Sequence, residues 1–341
     1  MLATTTTPPI RTLEDLLPPS LAARLDRLDV LSRKVISGKL PGERRSKRRG
    51  QSVEFDDFRN YTPGDDPRHI DWNVLARLDR LVVKVFREET DLALTIAVDA
   101  SASMDTGEPG KLLYAHRLAL ALAYVGLVNQ NRVTLMTFGG GGSANSASSK
   151  DPASQESASL LAPIRGRRNL RLASDFLLES MRQRPAAATA RAGRDDFAKA
   201  MRRLALARAG GGITVIISDY LWEGGFDDGL NYLAGRASGA LASSFDTYCV
   251  QTLAPGELNP DRERERGLLG DLRLTDVETG RGADVTITPA SINAYRLGLA
   301  RHQAALKAAT STRGIALVTV DTSTPVETLM LGTLRRGGMM R

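Results

Sequence analysis

The chain has 341 residues, with 46 Lys or Arg against 39 Asp or Glu and a formal net charge of +7. Its 42% hydrophobic and 25% charged residues are typical of globular proteins and exclude disordered, collagen-like and disulfide-built chains. A single cysteine, Cys249, excludes an internal disulfide and a cysteine-based zinc site. There is no signal-peptide pattern, and the longest apolar run is too short to cross a bilayer, so we expect a cytoplasmic protein without a membrane span.

Almost all of the net charge lies near the N-terminus, where residues 1–50 hold 11 basic and 5 acidic residues. Its source is a basic patch, which consists of Arg44, Arg45, Lys47, Arg48 and Arg49. Such a patch contacts nucleic acid or anionic lipid, docks an acidic protein surface, or is simply solvated. No nucleic-acid-binding motif accompanies it, so we favour an acidic protein surface or a solvated patch over nucleic acid.

The rest of the N-terminal segment gives mixed signals. Residues 1–20 are typical of a loose tail, and the apolar spacing over 21–36 predicts a helix. Residues 51–80 combine Asp, Arg and aromatic residues with turn signals, and 81–86 predict a short strand. We therefore predict that residues 1–90 form an N-terminal segment that packs on the main domain.

From residue 91 to 341 the predicted strands alternate with helices. Strands are predicted over 92–98, 132–138, 160–164, 213–219, 245–251 and 315–320. Helices are predicted over 111–128, 168–183, 195–208, 226–238 and 292–309, and another begins at Pro325. This order predicts a doubly wound α/β domain, a mostly parallel sheet with helices on both faces. Two segments interrupt it: a Gly/Ser/Ala-rich loop over 139–159, which we expect to be flexible, and a small β-hairpin insertion over 271–288.

A cluster of oxygen-bearing side chains follows two of the buried strands. Asp99, Ser101 and Ser103 come directly after the first predicted strand, and Asp219 ends the fourth. Ligands of open α/β sheets bind beyond the carboxyl ends of the strands. Carboxylate and hydroxyl oxygens suit Mg²⁺ or Mn²⁺, so these four residues are candidate metal ligands. The alternative is that an Asp followed by serines is only a cap or turn.

The residues around this cluster resemble a known family. The Asp99–Ser103 segment resembles the D-x-S-x-S of the metal-ion-dependent adhesion site in von Willebrand factor A domains. The signature of the domain-of-unknown-function 58 family is similar to Gly50–Phe55, Arg59–Trp72, Ala76–Arg77 and Asp276–Gly280. This resemblance implies a von Willebrand factor A-like, Rossmann-like domain. It also implies a MoxR-type AAA+ ATPase as partner, because the genes of the two families commonly lie side by side.

One position departs from the adhesion-site pattern, which also uses a threonine before a helix. The best match in this sequence is Gly193-Arg194-Asp195-Asp196-Phe197, so that Asp195 stands where the threonine is expected. If Asp195 is a ligand, the site becomes net negative and an acidic group from a partner is less welcome. If Asp195 instead points away as a helix cap, the site is degenerate.

Trp72 also has two interpretations. It is either an anchor on a partner-facing surface, since Trp and Arg are typical of binding hot spots, or part of the core. In the second case Arg68 and Arg77 would pair with Asp71 or Asp65. We favour the core, because Trp is usually largely buried.

These observations predict a non-enzymatic interaction module. A metal held by the candidate ligands would dock a partner, and the pair would act in chaperone-like assembly or maturation of a target complex. The alternatives are a metal-dependent hydrolase, for which the sequence offers no clear general base, and nucleic-acid binding through the basic patch. The stretch Gly107–Leu112 is similar to a phosphate loop, but it has Asp at 105 and Leu112 in place of the expected Gly and Ser/Thr, so we exclude nucleotide binding.

Overall fold

The computed structural model describes residues 12–30, 32, 53–88, 92–140, 158–182, 196–208, 211–222, 224–234, 245–261, 270–275 and 282–340. The chain divides into two compact units, with residues 39–91 in the smaller and residues 1–38 and 92–341 in the larger. The predicted N-terminal segment, 1–90, is therefore split. Its first two helices, α1 (Leu13–Leu16) and α2 (Pro19–Leu25), belong to the larger unit because their leucines are buried in its core.

The smaller unit contains an antiparallel pair of strands and one short helix. Strand β1 (Val53–Asn60) pairs with β2 (Val82–Glu88), and helix α3 (Trp72–Leu78) lies between them in the sequence. The sequence predicted β2 but missed β1. The reason is a register shift between Phe55 and Asp57, which interrupts the apolar–polar alternation by which a strand is recognised.

A six-stranded sheet forms the centre of the larger unit. Its strands are β3 (Ala93–Asp99), β4 (Arg132–Phe138), β5 (Ala158–Ile164), β6 (Gly212–Ser218), β7 (Phe245–Leu253) and β10 (Ala316–Asp321). The order is β10-β7-β6-β3-β4-β5, and every neighbouring pair is parallel except β4 and β5. The predicted mostly parallel sheet is confirmed. Strand β5 contains Pro163 and lies at one edge of the sheet, where the missing backbone N–H of a proline is tolerated.

The remaining elements lie close to their predicted positions, except for the short helix Pro255–Leu258, which the sequence did not predict. The other helices are α4 (Lys111–Val128), α5 (Leu170–Arg182), α6 (Asp196–Ala207), α7 (Asp227–Leu233), α8 (Pro255–Leu258), α9 (Pro289–Ser311) and α10 (Val326–Thr328), which continues as a π-helix over Leu329–Leu334. The predicted hairpin insertion is present as β8 (Gly270–Thr275) and β9 (Gly282–Ile287). Of the predicted flexible loop, residues 158–159 begin β5 and 141–157 lie outside the described residues.

The sheet separates two apolar cores. Leu94, Ile96 and Val98 of β3 pack into the first core with residues of α1, α2, α4 and α5. Ala97 of the same strand packs into the second core with residues of α6, α7 and α9. Helices thus cover both faces, as the alternating pattern predicted. Helix α4 has the length and apolarity of a membrane-spanning helix, but 83% of it is buried within the fold, as in a core helix.

The pairing of β3 and β6 depends on Gly212, the first residue of β6. A Cβ at this position would lie 1.9 Å from the carbonyl oxygen of Ala93. We expect Gly212→Ala to lower the free energy of unfolding by about 2–3 kcal/mol, because a backbone carbonyl cannot move away cheaply. Gly298→Ala, in an exposed part of α9 where nothing lies within 4 Å, is the matched control, and we expect it to stabilise by about 0.5–1 kcal/mol. Urea unfolding measures both, and equal effects would contradict the tight β3–β6 contact.

Cys249 is completely buried in β7. Burial raises the pKa of this thiol to about 12, against an ordinary value of about 8.5. We therefore expect native protein between pH 7 and pH 9 to react with a thiol-specific reagent far more slowly than unfolded protein, which should react fully, because the native thiol is inaccessible and almost entirely protonated. Fast, stoichiometric labelling of the native protein with an ordinary pH profile would show that Cys249 is accessible.

Candidate functional site

The candidate site lies where the strand order of the large sheet reverses. From β3 the chain adds β4 on one side and later β6 on the other, so β3 and β6 are adjacent parallel strands with a topological switch point between them. Their carboxyl ends are Asp99 and Ser218. Open α/β sheets bind ligands in the crevice at such a point. The predicted residues Asp99 and Asp219 both lie there.

Asp99 is a completely buried carboxylate. Its Oδ1 accepts a hydrogen bond from the N–H of Ser101 at 2.8 Å, and its Oδ2 accepts one from the hydroxyl of Ser218 at 2.5 Å. Among the described residues it forms no ion pair with a Lys, Arg or His side chain. Burial, and next the charge of Asp219, raise the pKa of Asp99 well above its ordinary value. The fold therefore holds an acidic group that lacks a cation.

The hydroxyls of Ser101 and Ser103 converge beside Asp99. Ser101 is extended and precedes the 3₁₀ turn Ala102–Asp105, which brings Ser103 round until the two Oγ atoms are 3.1 Å apart. Adjacent ligands of an octahedral Mg²⁺ lie about 2.9 Å apart, given metal–oxygen distances of about 2.05 Å. The spacing of the two hydroxyls thus fits two neighbouring positions around one small divalent cation.

The wall of the site is formed by Gly139, which the sequence analysis assigned only to the predicted loop. It has a φ of +77°, and a Cβ there would lie 3.0 Å from Asp99 Oδ1 and 2.7 Å from Cη2 of Trp222. Both the backbone conformation and the space therefore require glycine. Trp222 is buried against Phe138 and Phe197, so its indole closes the site on the side of the second core.

Lys111 is the principal residue of the site that sequence reasoning missed. It is completely buried, and its Nζ lies 2.9 Å from Asp219 Oδ2 and 2.6 Å from Glu257 Oε1. Burial lowers the pKa of Lys111, but the charges of Asp219 and Glu257 outweigh this and raise it, so the ammonium stays protonated. The available signal was a lysine in the first turn of an otherwise apolar helix. Asp219 thus has a cationic partner, whereas Asp99 has none.

The donor set can be compared with the requirements of a metal. The described residues contain no group of three or more His, Cys, Asp or Glu side chains placed to hold an ion. The site instead offers one unpaired carboxylate and two hydroxyls. Oxygen donors of this kind suit Mg²⁺ or Mn²⁺, which keep several waters and need few protein ligands.

The family model for the "Protein of unknown function DUF58" matches residues 57–305. The chain belongs to the DUF58 family. Its relatives include the uncharacterized proteins Mb1516 of Mycobacterium bovis and Rv1480 of Mycobacterium tuberculosis. Each is 28% identical to the chain over 298 residues, which is 87% of this chain and 83% of the relative.

Among solved structures, the DUF58 chain is similar to the open conformation of the pilus adhesin SpaC from Lactobacillus rhamnosus GG. The alignment covers 74% of this chain but only 31% of the adhesin, so the chain spans about a third of that protein's length. The identity is 11% and the TM-score is 0.38, a likeness too low to support a conclusion about fold or function.

Several predicted site residues of this DUF58 chain lie outside the described residues. They are Asp195 and the basic patch with Arg44, Arg45, Arg48 and Arg49. Helix α6 begins at the residue that follows Asp195. That Asp195 is a metal ligand therefore stays a prediction. So does the partner contact of the basic patch.

The preferred interpretation of Trp72 as a core residue is wrong, since 61% of its surface is exposed. The neighbouring Asp71 is buried instead, because it caps α3 and pairs with Lys84 at 3.0 Å. The predicted pairing of Asp65 is also wrong, since this residue pairs with Arg59 at 2.8 Å. The alternative interpretation of Trp72, a surface anchor for a partner, is compatible with its exposure and stays a prediction.

Proposed function

We propose that the chain is a non-enzymatic interaction module of the von Willebrand factor A-like type, which docks an acidic partner through a bound Mg²⁺ or Mn²⁺. The supporting observation is Asp99, a completely buried carboxylate beside two converging hydroxyls that has no cationic partner among the described residues. An ionised carboxylate is costly to bury unless a cation or several hydrogen bonds compensate it. A divalent cation at this position would compensate it.

In this proposal Asp99, Ser101 and Ser103 hold the cation, directly or through water. When bound, the cation supplies a positive charge that a carboxylate of the partner can approach. The backbone N–H of Ser101 and the hydroxyl of Ser218 fix the orientation of the Asp99 carboxylate, and Gly139 keeps the adjacent space free of a side chain. Asp195 would complete the ligand set if it reaches the site.

Docking is better supported than hydrolysis by the state of the charged groups. Both oxygens of Asp99 already accept hydrogen bonds, Asp219 is paired with Lys111, and the pKa of Lys111 is raised. Burial and the charge of Asp219 raise the pKa of Asp99 to about 7, which would suit a general base, but both of its oxygens already accept hydrogen bonds within the fold. Asp219 is held by Lys111, and the protonated Lys111 ammonium cannot accept a proton. The charges of the described residues therefore suit binding better than proton abstraction.

The family resemblance supports a MoxR-type AAA+ ATPase as the partner, with which the chain would act in chaperone-like assembly or maturation of a target complex in the cytoplasm. Trp72 supports a second contact. It lies in the smaller unit, whose exposed apolar side chains also include Phe58, Leu78 and Leu81, at 44%, 66% and 43% exposure. An exposed Trp is typical of an interface anchor. The basic patch would meet an acidic surface of the same partner.

Removal of the Asp99 charge should abolish metal binding. We expect Asp99→Asn to weaken Mn²⁺ binding by at least about tenfold, because it removes the unpaired carboxylate and leaves the shape of the side chain unchanged. Isothermal titration measures the affinity. Fluorescence of the Trp72→Phe variant provides a second readout, since it leaves Trp222, at the wall of the site, as the only Trp of the chain.

The control for this experiment is Asp175→Asn, which removes an exposed carboxylate from α5. It should bind Mn²⁺ as the wild-type protein does. Equal affinity of Asp99→Asn and wild type would exclude Asp99 from the metal site, and a wild-type protein that binds neither Mg²⁺ nor Mn²⁺ would contradict the proposed function.

The partner contact should depend on the same residue. We expect a purified MoxR-type AAA+ ATPase to be retained by the immobilised chain in Mg²⁺, released by EDTA, and not retained by Asp99→Asn. Trp72→Ala should weaken retention without a change in the midpoint of urea unfolding, because Trp72 is exposed. Retention that persists in EDTA would contradict metal-bridged docking, and no retention under any condition would contradict this partner.

A further inference from the structure

The position of Lys111 is unfavourable by two separate criteria. It is the first residue of the 18-residue helix α4, where the helix dipole disfavours a positive charge. It is also completely buried, and an ammonium is costly to remove from water. A core position at the start of an apolar helix would ordinarily hold an apolar residue. The local sequence therefore gives no stability reason for a lysine here.

The surroundings of Lys111 are built to hold it in one place. Asp219, which directly follows β6, and Glu257 of α8 each direct one oxygen at its Nζ. The second oxygen of each is held by the backbone, with Leu221 N–H donating to Asp219 at 3.1 Å and Ala254 N–H donating to Glu257 at 2.7 Å. Both carboxylates are thus fixed by the fold and face the ammonium.

The charges of this group can be counted together with Asp99. Asp99, Asp219 and Glu257 are three carboxylates, and Lys111 is one cation, so the group has a net charge of −2 when all are ionised. That charge equals the magnitude of one divalent cation. Without the ammonium the net charge would be −3, and Asp219, whose charge already acts on Asp99, would be available to the metal.

We propose that Lys111 is a positioning residue that acts as a fixed internal cation. By pairing with Asp219 it keeps this carboxylate out of the ligand set and so limits the affinity of the site for Mg²⁺ or Mn²⁺. This inference rests on the proposed function, since it concerns the same site. Its consequence is that the metal and its one carboxylate ligand, Asp99, together carry a charge of +1, because the net charge of −1 on Lys111, Asp219 and Glu257 lies outside the ligand set. An acidic group of a partner would neutralise that local charge.

The experiment compares the Mn²⁺ affinity of wild type with that of Lys111→Met, which removes the charge but fills much the same space. We expect Lys111→Met to bind Mn²⁺ at least about tenfold more tightly, because a nearby positive charge is lost and Asp219 becomes free. Lys307→Met, on the exposed face of α9, is the matched control for the loss of one lysine and should leave the affinity unchanged.

A double variant separates a charge effect from a change of shape. Lys111→Met with Asp219→Asn removes one positive and one negative charge together, so that the net charge of the group is again −2. We expect its Mn²⁺ affinity to return to within about threefold of wild type. If Lys111 is only a structural ion pair, the single variant lowers the unfolding midpoint but binds Mn²⁺ with wild-type affinity, and the proposal is overturned.

If Lys111→Met does not fold, Glu257→Gln keeps the test decisive. The Glu257 side chain is 23% exposed, and its loss leaves the pair between Lys111 and Asp219 in place. The net charge becomes −1, and we expect Mn²⁺ affinity to fall severalfold. An unchanged affinity would overturn the role of this charged group.

The result also distinguishes the two proposals. Wild-type binding that depends on Asp99 but not on Lys111 or Glu257 would retain the metal site and overturn only the present inference. Binding by Lys111→Met but not by wild type would support the internal cation and contradict metal-bridged docking by the natural chain. Absence of binding in wild type, Lys111→Met and Glu257→Gln alike would contradict both.

Discussion

The organisation of the sheet's carboxyl edge depends on the ion pairs that the buried Lys111 ammonium forms with Asp219 and Glu257. This ammonium joins the start of α4 to the residue after β6, 108 positions along the chain, and to helix α8, 146 positions along. Helix α4 also contributes much of the first apolar core. The same helix therefore positions both the core and the charge of the candidate site.

A fold optimised only for stability would not keep this arrangement. Replacing buried ion pairs by well-packed apolar residues is often neutral or stabilising, whereas removing one partner alone is costly. The described structure retains three carboxylates and one lysine around the switch point, and it leaves Asp99 without a cationic partner. We therefore propose that this group is a site for a cation, which its net negative charge would attract.

The sequence predicted those parts of the fold and site that depend on local pattern. Strands β3 and β6, helix α4 and the residues that follow each strand were predicted because periodicity and strand ends are local signals. The contact of Lys111 with Glu257 spans 146 residues, so no local pattern in the sequence could predict it. Strand β1 was missed because its register shift interrupts the local pattern. The exposure of Trp72 was missed because the general rule that Trp is largely buried does not hold for this residue of the smaller unit.

The charge count further constrains how the site can vary among related chains. Loss of Lys111 alone leaves Asp219 and Glu257 without a cation, and loss of either carboxylate alone leaves a net charge of −1, at which we expect weaker metal binding. A neutral residue at 111 is therefore compatible with a similar metal affinity only if Asp219 or Glu257 is neutral as well. In this proposal the net charge around Asp99 sets the metal affinity, and the identity of each charged residue is secondary to it.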